Sequence, residues 1–248
     1  YGQKLGAKHR RKGLVQQMRI RAVVADVDGT LTDEKRRLDI DSLMAVRELE
    51  ERGMKVVLTS GRSYCATHVL STYIGTFGLV IAENGGVIGR GPADYTLMGD
   101  RRFAELGLKE LKKELGEKVR EVHSFQRYVD IVLARTFDLD SANEILRRKG
   151  AGSHVLDSGF AYHLVDARVN KGTGVEAAAK TLTLETEEIA AIGDNLNDID
   201  MFKVAGFSAT FPDAPEQTRK AATYIANQKH GKGVKEIAEI ILSGRSDS

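Results

Sequence analysis

Four short polar clusters carry residue types that could do chemistry together. Asp26-Val27-Asp28-Gly29-Thr30-Leu31-Thr32 holds two acids, and Thr59-Ser60-Gly61-Arg62 holds a hydroxyl and a cation. Lys171-Gly172 opens a helix-like segment, and Gly193-Asp194-Asn195-Leu196-Asn197-Asp198 holds two further acids. Any one of these reads as a turn, because Asp, Asn, Ser and Gly are ordinary turn formers. Turn formation does not account for all four at once. Gathered in one crevice, Asp26, Asp28, Asp194 and Asp198 would repel one another, by about 4 kcal/mol for two unit charges ~4 Å apart at an effective dielectric near 20. A hard divalent cation removes that repulsion, and Mg²⁺ binds through one or two carboxylates together with substrate phosphate and water. Lys171 and the Ser60 hydroxyl add a positive charge and a donor. The set suits an anion beside a metal, which is what phosphoryl transfer requires.

The clusters follow apolar runs that can position them. Arg21–Val27, Lys55–Thr59, Leu79–Ala82 and Ile189–Ile192 are short and rich in Val, Ile or Ala, as strands buried on both faces of a parallel sheet are. Asp41–Arg52, Ser63–Ile74, Gly172–Leu182, Ile199–Ala205, Pro215–Ala222 and Val234–Leu242 have helical character between and after them. This alternation predicts an α/β fold with a Rossmann-like parallel sheet core, whose ligands lie at the carboxyl ends of the strands. Strand ends converge there, so residues as far apart as Asp26 and Asp194 can share one crevice.

The order changes between Val87 and Val165. A strand-like Tyr95–Met98, a helix Phe103–Leu115, a strand-like Tyr128–Ala134, a helix Ser141–Lys149 and two paired runs, His154–Asp157 and Ala161–Val165, predict a small inserted α+β cap. Gly85–Gly91 reads as the linker into it and Asp166–Asn170 as the linker out. The expected organisation is a basic N-terminal extension (1–17), a catalytic core (18–86 and 166–248) and a cap (87–165).

Composition narrows the classes. The 248 residues are 42% hydrophobic and 29% charged, ordinary for a soluble globular protein, and no apolar run approaches a membrane span. Residues 1–17 carry five of the 37 basic residues and no acid, so the remainder is formally −3. The basic character belongs to that tail, which reads as an extension ahead of Met18, and no nucleic-acid partner is expected. The single cysteine, Cys65, cannot form an intrachain disulfide and fits a reducing, cytoplasmic setting.

Asp-x-Asp-Gly-Thr-Leu-Thr, Ser-Gly-Arg, Lys-Gly and Gly-Asp-x-x-Asn-Asp, in this order, resemble the haloacid dehalogenase superfamily of aspartate-nucleophile phosphatases. The insertion between the second and third motifs is similar to the α/β cap of the Cof-type branch. Glu83-Asn84-Gly85-Gly86 and Ser158-Gly159-Phe160-Ala161-Tyr162-His163 look most like archaeal-type phosphoglycolate phosphatases. The resemblance implies Asp26 as nucleophile, forming an aspartyl-phosphate, and Asp28 as general acid and base. It implies Ser60 and Lys171 as binders of the phosphoryl oxygens. Mg²⁺ would be held by Asp26, the Asp28 backbone carbonyl and Asp194, with Asp198 either binding a metal water or orienting Lys171. Ser60 replaces the threonine common in this branch and keeps its hydroxyl. The implied reaction is Mg²⁺-dependent hydrolysis of a small phosphorylated metabolite, 2-phosphoglycolate foremost. A sugar-phosphate phosphatase or phosphomutase of the same superfamily is the alternative, and a homodimer is left open.

Other readings are blander or weaker. A non-enzymatic phosphate-sensing module would be expected to lack Asp26 or Asp28, and both are present. Gly172-Thr173-Gly174-Val175-Glu176-Ala177 spells a dinucleotide-binding fingerprint, but no buried strand precedes it. Cys65 reads as a small buried side chain, His163 as a structural histidine ahead of a substrate contact, and Arg62 as a tie for its own loop.

Overall fold

Consecutive residues of the first apolar run face opposite ways, and each face finds its own core. In the computed structural model, which describes residues 19–122 and 126–244, β1 (Ala22–Asp26) is buried throughout. The 1–17 extension and Met18 lie outside the described residues. Val23 and Ala25 pack with Ala45, Val46 and Leu49 of α1 (Ile40–Glu51) and with Val234, Ile237 and Ile241 of α8 (His230–Ser243). Ala22 and Val24 pack on the other side against Val175, Ala178 and Ala179 of α5 (Lys171–Leu182) and Met201 and Phe202 of α6 (Ile199–Val204). Side chains alternate across a strand, so a strand with helices on both faces must be apolar at every position.

The main sheet has eight strands in the order β11-β10-β9-β1-β2-β3-β4-β5. β2 is Lys55–Thr59, β3 Val80–Ala82, β4 Val87–Gly91, β5 Asp94–Leu97, β9 Ile189–Ile192, β10 Phe207–Thr210 and β11 Tyr224–Ile225. All pairings from β11 through β3 are parallel, and β4 and β5 add antiparallel. Ala25 is in register with Ile192 and Asp26 with Thr59. The chain therefore leaves β9, β1 and β2 side by side, at Gly193, Val27 and Ser60. Helices α2 (Tyr64–Ile74) and α7 (Glu216–Ala221) complete the layers.

A separate three-stranded antiparallel sheet, β6-β8-β7, carries α3 (Arg101–Leu115) and α4 (Leu139–Lys149). Its strands are β6 (Ile131–Leu133), β7 (Ser153–Asp157) and β8 (Tyr162–Asp166), and its own core includes Ala104, Leu111, Leu133, Leu146, Val155 and Leu164. Asp100 and Asp138 accept N–H bonds from the first turns of α3 and α4, and Gly150 ends α4 in the left-handed region.

The expected linker Gly85–Gly91 and strand Tyr95–Met98 do not belong to this second sheet. They form β4 and β5 at the edge of the main sheet, so the insertion does not begin at residue 87. Gly89 serves close backbone approach. A Cβ on Gly89 would stand 2.3 Å from the Asp94 carbonyl, beside the irregular register between Gly89 and Gly91. The chain crosses at residues 98–100 and 166–170, and Asp166 holds the two crossings together by accepting the Asp100 N–H at 3.1 Å.

Glu83, which follows β3, ties the sheets. Its buried carboxylate accepts from the backbone N–H groups of Tyr128, Val129 and Asp130 at 2.9–3.3 Å. Burial, reinforced by the charge of Asp130, pushes Glu83 up to about 7. A carboxyl raised in the folded state favours folding below about pH 4.5 and loses that contribution as pH rises through about 7. The variant Glu83→Gln should therefore gain on wild type between pH 5 and pH 8, by on the order of 3 kcal/mol or several degrees of Tm. A Tm difference that does not change with pH would show that Glu83 titrates normally.

Candidate active site

The carboxyl end of β1 is where the chemistry converges. The chain leaves the strand through an irregular turn over Val27–Leu31, with Gly29 at φ +93°. Gly29 is required twice there, by the left-handed backbone and because a Cβ would come within 2.3 Å of Asp194 Oδ2. Thr30 donates its hydroxyl to Asp194 Oδ1 at 2.9 Å, fixing the loop after β9 against the loop after β1.

Lys171 is the first residue of α5, whose start is set by Asn170. The Asn170 side chain accepts from Thr173 N–H at 2.9 Å, while Thr173 Oγ1 accepts the Asn170 N–H. The Lys171 side chain is 1% exposed, and its Nζ donates to Asp26 Oδ1 at 2.5 Å and to Asp198 Oδ1 at 2.6 Å. The other Asp198 oxygen accepts the N–H groups of Asp194 and Asn195, both at 2.9 Å. Both oxygens of Asp198 are thus committed, one to the ammonium and one to the loop.

Asp26, Asp194 and Asp198 each offer an oxygen within 4.8 Å of the others. Three carboxylates around one ammonium leave a formal −2 in a buried space. Burial pushes Asp26 above the ordinary carboxylate range, with the charges of Asp198 and Asp194 adding and Lys171 opposing. Burial, followed by Asp198, pushes Asp194 up to about 7. Burial would lower Lys171, but Asp198 and Asp26 outweigh it and hold the ammonium above its usual range. An all-oxygen donor set with unneutralised charge fits a hard divalent cation.

The Asp28 side chain stands outside this group. Arg62 donates Nε to its Oδ2 at 2.7 Å and NH2 to its Oδ1 at 2.6 Å. Arg62 therefore ties two loops together rather than only its own. Ser60, buried after β2, accepts the Arg62 N–H on Oγ at 3.1 Å, which leaves its hydroxyl proton to give. All six residues singled out in the sequence lie around this strand end, Asp26, Asp194, Asp198 and Lys171 in direct contact and Asp28 and Ser60 joined through Arg62.

Arg127 and Asp130 contribute without any sequence signature. Arg127 NH1 donates to Gly61 O at 2.8 Å and to Asp130 Oδ2 at 2.6 Å. His163 bonds Asp130 Oδ2 through Nδ1 at 2.8 Å and Ser158 Oγ through Nε2 at 3.1 Å. It is structurally engaged, as expected, yet it also borders the cavity of about 170 Å³ above Asp26 and Asp28. Cys65 is half-buried on α2 and takes no part. The Gly-x-Gly of residues 172–174 serves packing, since Cβ atoms there would strike Asp200 O at 2.6 Å and Ile81 Cγ2 at 2.5 Å. No helix among the described residues is long and apolar enough to cross a membrane.

Known proteins resemble this chain in sequence and fold. The sequence pattern of the haloacid dehalogenase-like hydrolases matches residues 23–133 and 114–237. A phosphoglycolate phosphatase of Methanothermobacter thermautotrophicus is 38% identical over 218 residues, covering 88% of this chain and 96% of that protein. One from Methanosarcina acetivorans is 36% identical over 231 residues, covering 91% and 98%. A crystal structure from Thermoplasma acidophilum has the same fold, with a TM-score of 0.80 at 23% identity over 90% of this chain and 99% of that one.

A cation that binds the folded site stabilises it by about 2.7 kcal/mol at a hundredfold excess over Kd, roughly 5–10 °C for a chain of this size. Millimolar Mg²⁺ should raise Tm on that scale, and Asp194→Asn should abolish most of the rise. An undiminished rise in the variant would place the cation elsewhere.

Proposed function

The chain belongs to the haloacid dehalogenase-like hydrolases of the Cof-type branch, and from that membership we propose that it hydrolyses 2-phosphoglycolate to glycolate and phosphate through an aspartyl-phosphate on Asp26. One observation carries the reading. Lys171, anchored by Asp198, holds one oxygen of Asp26 at the strand end, under a cavity of about 170 Å³. The relatives named phosphoglycolate phosphatase cover nearly all of this chain and support the same substrate.

In this reading the free oxygen of Asp26 attacks phosphorus and the P–O ester bond breaks. Asp28, once free of Arg62 and protonated from solvent, gives that proton to the leaving glycolate oxygen, then takes one from the water that attacks the aspartyl-phosphate, which returns Asp26 and frees phosphate. Asp28 must first exchange Arg62 for the ester oxygen. Lys171 and the Ser60 hydroxyl hold the phosphoryl oxygens, and Asp198 acts through Lys171. Mg²⁺, held by Asp26, the Asp28 carbonyl and Asp194, would neutralise charge on the phosphoryl group. The residues from about 101 to 165 act as the cap that excludes bulky phosphate esters.

Phosphate release from a panel of small monoesters, with and without Mg²⁺, tests this. We expect Mg²⁺-dependent turnover favouring 2-phosphoglycolate. Asp26→Asn should lower it by at least about 10³-fold while Tm is retained. Near-full activity in that variant would remove Asp26 as nucleophile, and a preference for sugar phosphates would discard the substrate. No release from any compound would point to a mutase or a sensor.

A further inference from the structure

Three arginines and a histidine line the cavity from both sides, Arg36 and Arg62 from the main sheet and Arg127 and His163 from the smaller one. Three of them already have a carboxylate. Arg62 grips Asp28, and Arg127 and His163 share Asp130. Arg36 differs. Among the described residues it pairs with no carboxylate, and its guanidinium lies 3.7 Å from the ring centroid of Phe160. Arg36 sits in the turn between the bridged residues Thr32 and Leu38, and Phe160 at the tip of the β7–β8 hairpin, so the contact spans the crevice.

Both residues stand where local preference would not put them. Arg36 has φ +59°, a left-handed conformation that costs an L side chain on the order of 1 kcal/mol. Phe160 is 47% exposed. A guanidinium set against a ring face keeps its in-plane N–H groups free, and their fork matches a carboxylate bidentately.

We propose that Arg36, held by Phe160, receives the carboxylate of the substrate and makes the site select phosphate monoesters bearing a second anion near the ester. The inference rests on the phosphatase reading above. The phosphoryl group has its place over Asp26 and Lys171, which leaves Arg36 as the lining cation available to the other end of the substrate. It is a specificity-determining contact carried by the core, with its support supplied by the cap.

The test compares kcat/KM for 2-phosphoglycolate with that for 2-hydroxyethyl phosphate, which replaces the carboxylate by a neutral alcohol. Wild type should favour 2-phosphoglycolate by about tenfold or more. Arg36→Met keeps an apolar stem against Phe160 and should lower that ratio by about tenfold or more, to near one, mainly through KM. Arg36→Lys should recover part of it. Arg36→Gly suits the left-handed backbone, so it should lose the same selectivity with no loss of Tm. An equal fall for both substrates in Arg36→Met would overturn the proposal and leave Arg36 as a latch on the cap. A wild type with no preference between the two compounds also overturns it, while the phosphatase reading stands. No release from either compound overturns both.

Discussion

A single buried ammonium organises the site. Lys171 reaches Asp26 and Asp198 from the first turn of α5, and all three side chains are removed from water. Such a group is destabilising unless charge and geometry match closely, and removing one partner of a buried pair costs about 3–5 kcal/mol. The surroundings are arranged accordingly. Asp198 spends its second oxygen on the loop amides of Asp194 and Asn195. Gly193 leaves room, since a Cβ there would stand 2.5 Å from Asp198 Cγ. The parallel register of β9, β1 and β2 brings the loops together, and no shift of one residue in that register would preserve the contacts.

The same constraint governs how the smaller sheet is attached. Glu83, Asp130 and Asp166 are all buried at or near the crossing between the two sheets, and each is satisfied differently. Glu83 takes backbone amides, Asp130 takes Arg127 and His163, and Asp166 takes Arg168 and the Asp100 amide. Hydrogen bonding to Arg168 holds Asp166 down to about 2, whereas burial holds Glu83 near 7. Two carboxylates at one junction thus respond to pH in opposite senses, because one is paired with a cation and the other with neutral amides.

What was legible in the sequence follows from this physics. Strands buried on both faces must be continuous apolar runs, so β1, β2, β3 and β9 announce themselves, and the turn residues after them mark the site. The edge was not legible. β4 contains two glycines, of which Gly89 permits close backbone approach, and glycine has the same appearance in a linker. β10 and β11, short and partly polar at the far edge, left no run to find. Arg62 was visible as a residue but not as the partner of Asp28, and the Arg127–Asp130–His163 group joins positions that no period or motif connects. Pairing between loops is set by where strands end in space.

The site divides into a fixed half and an adjustable half, and the proposed chemistry needs both. The Lys171 pairs are buried and cannot be exchanged without exposing an unpaired charge. Arg62 is 46% exposed, so water can replace Asp28 on its guanidinium. Asp28 can then turn to an ester oxygen, whereas Asp26 stays where Lys171 puts it. A nucleophile gains from being immobile, because its attack depends on approach distance and alignment. A residue that first gives a proton and later takes one must face two different oxygens, and a partner open to solvent permits that movement.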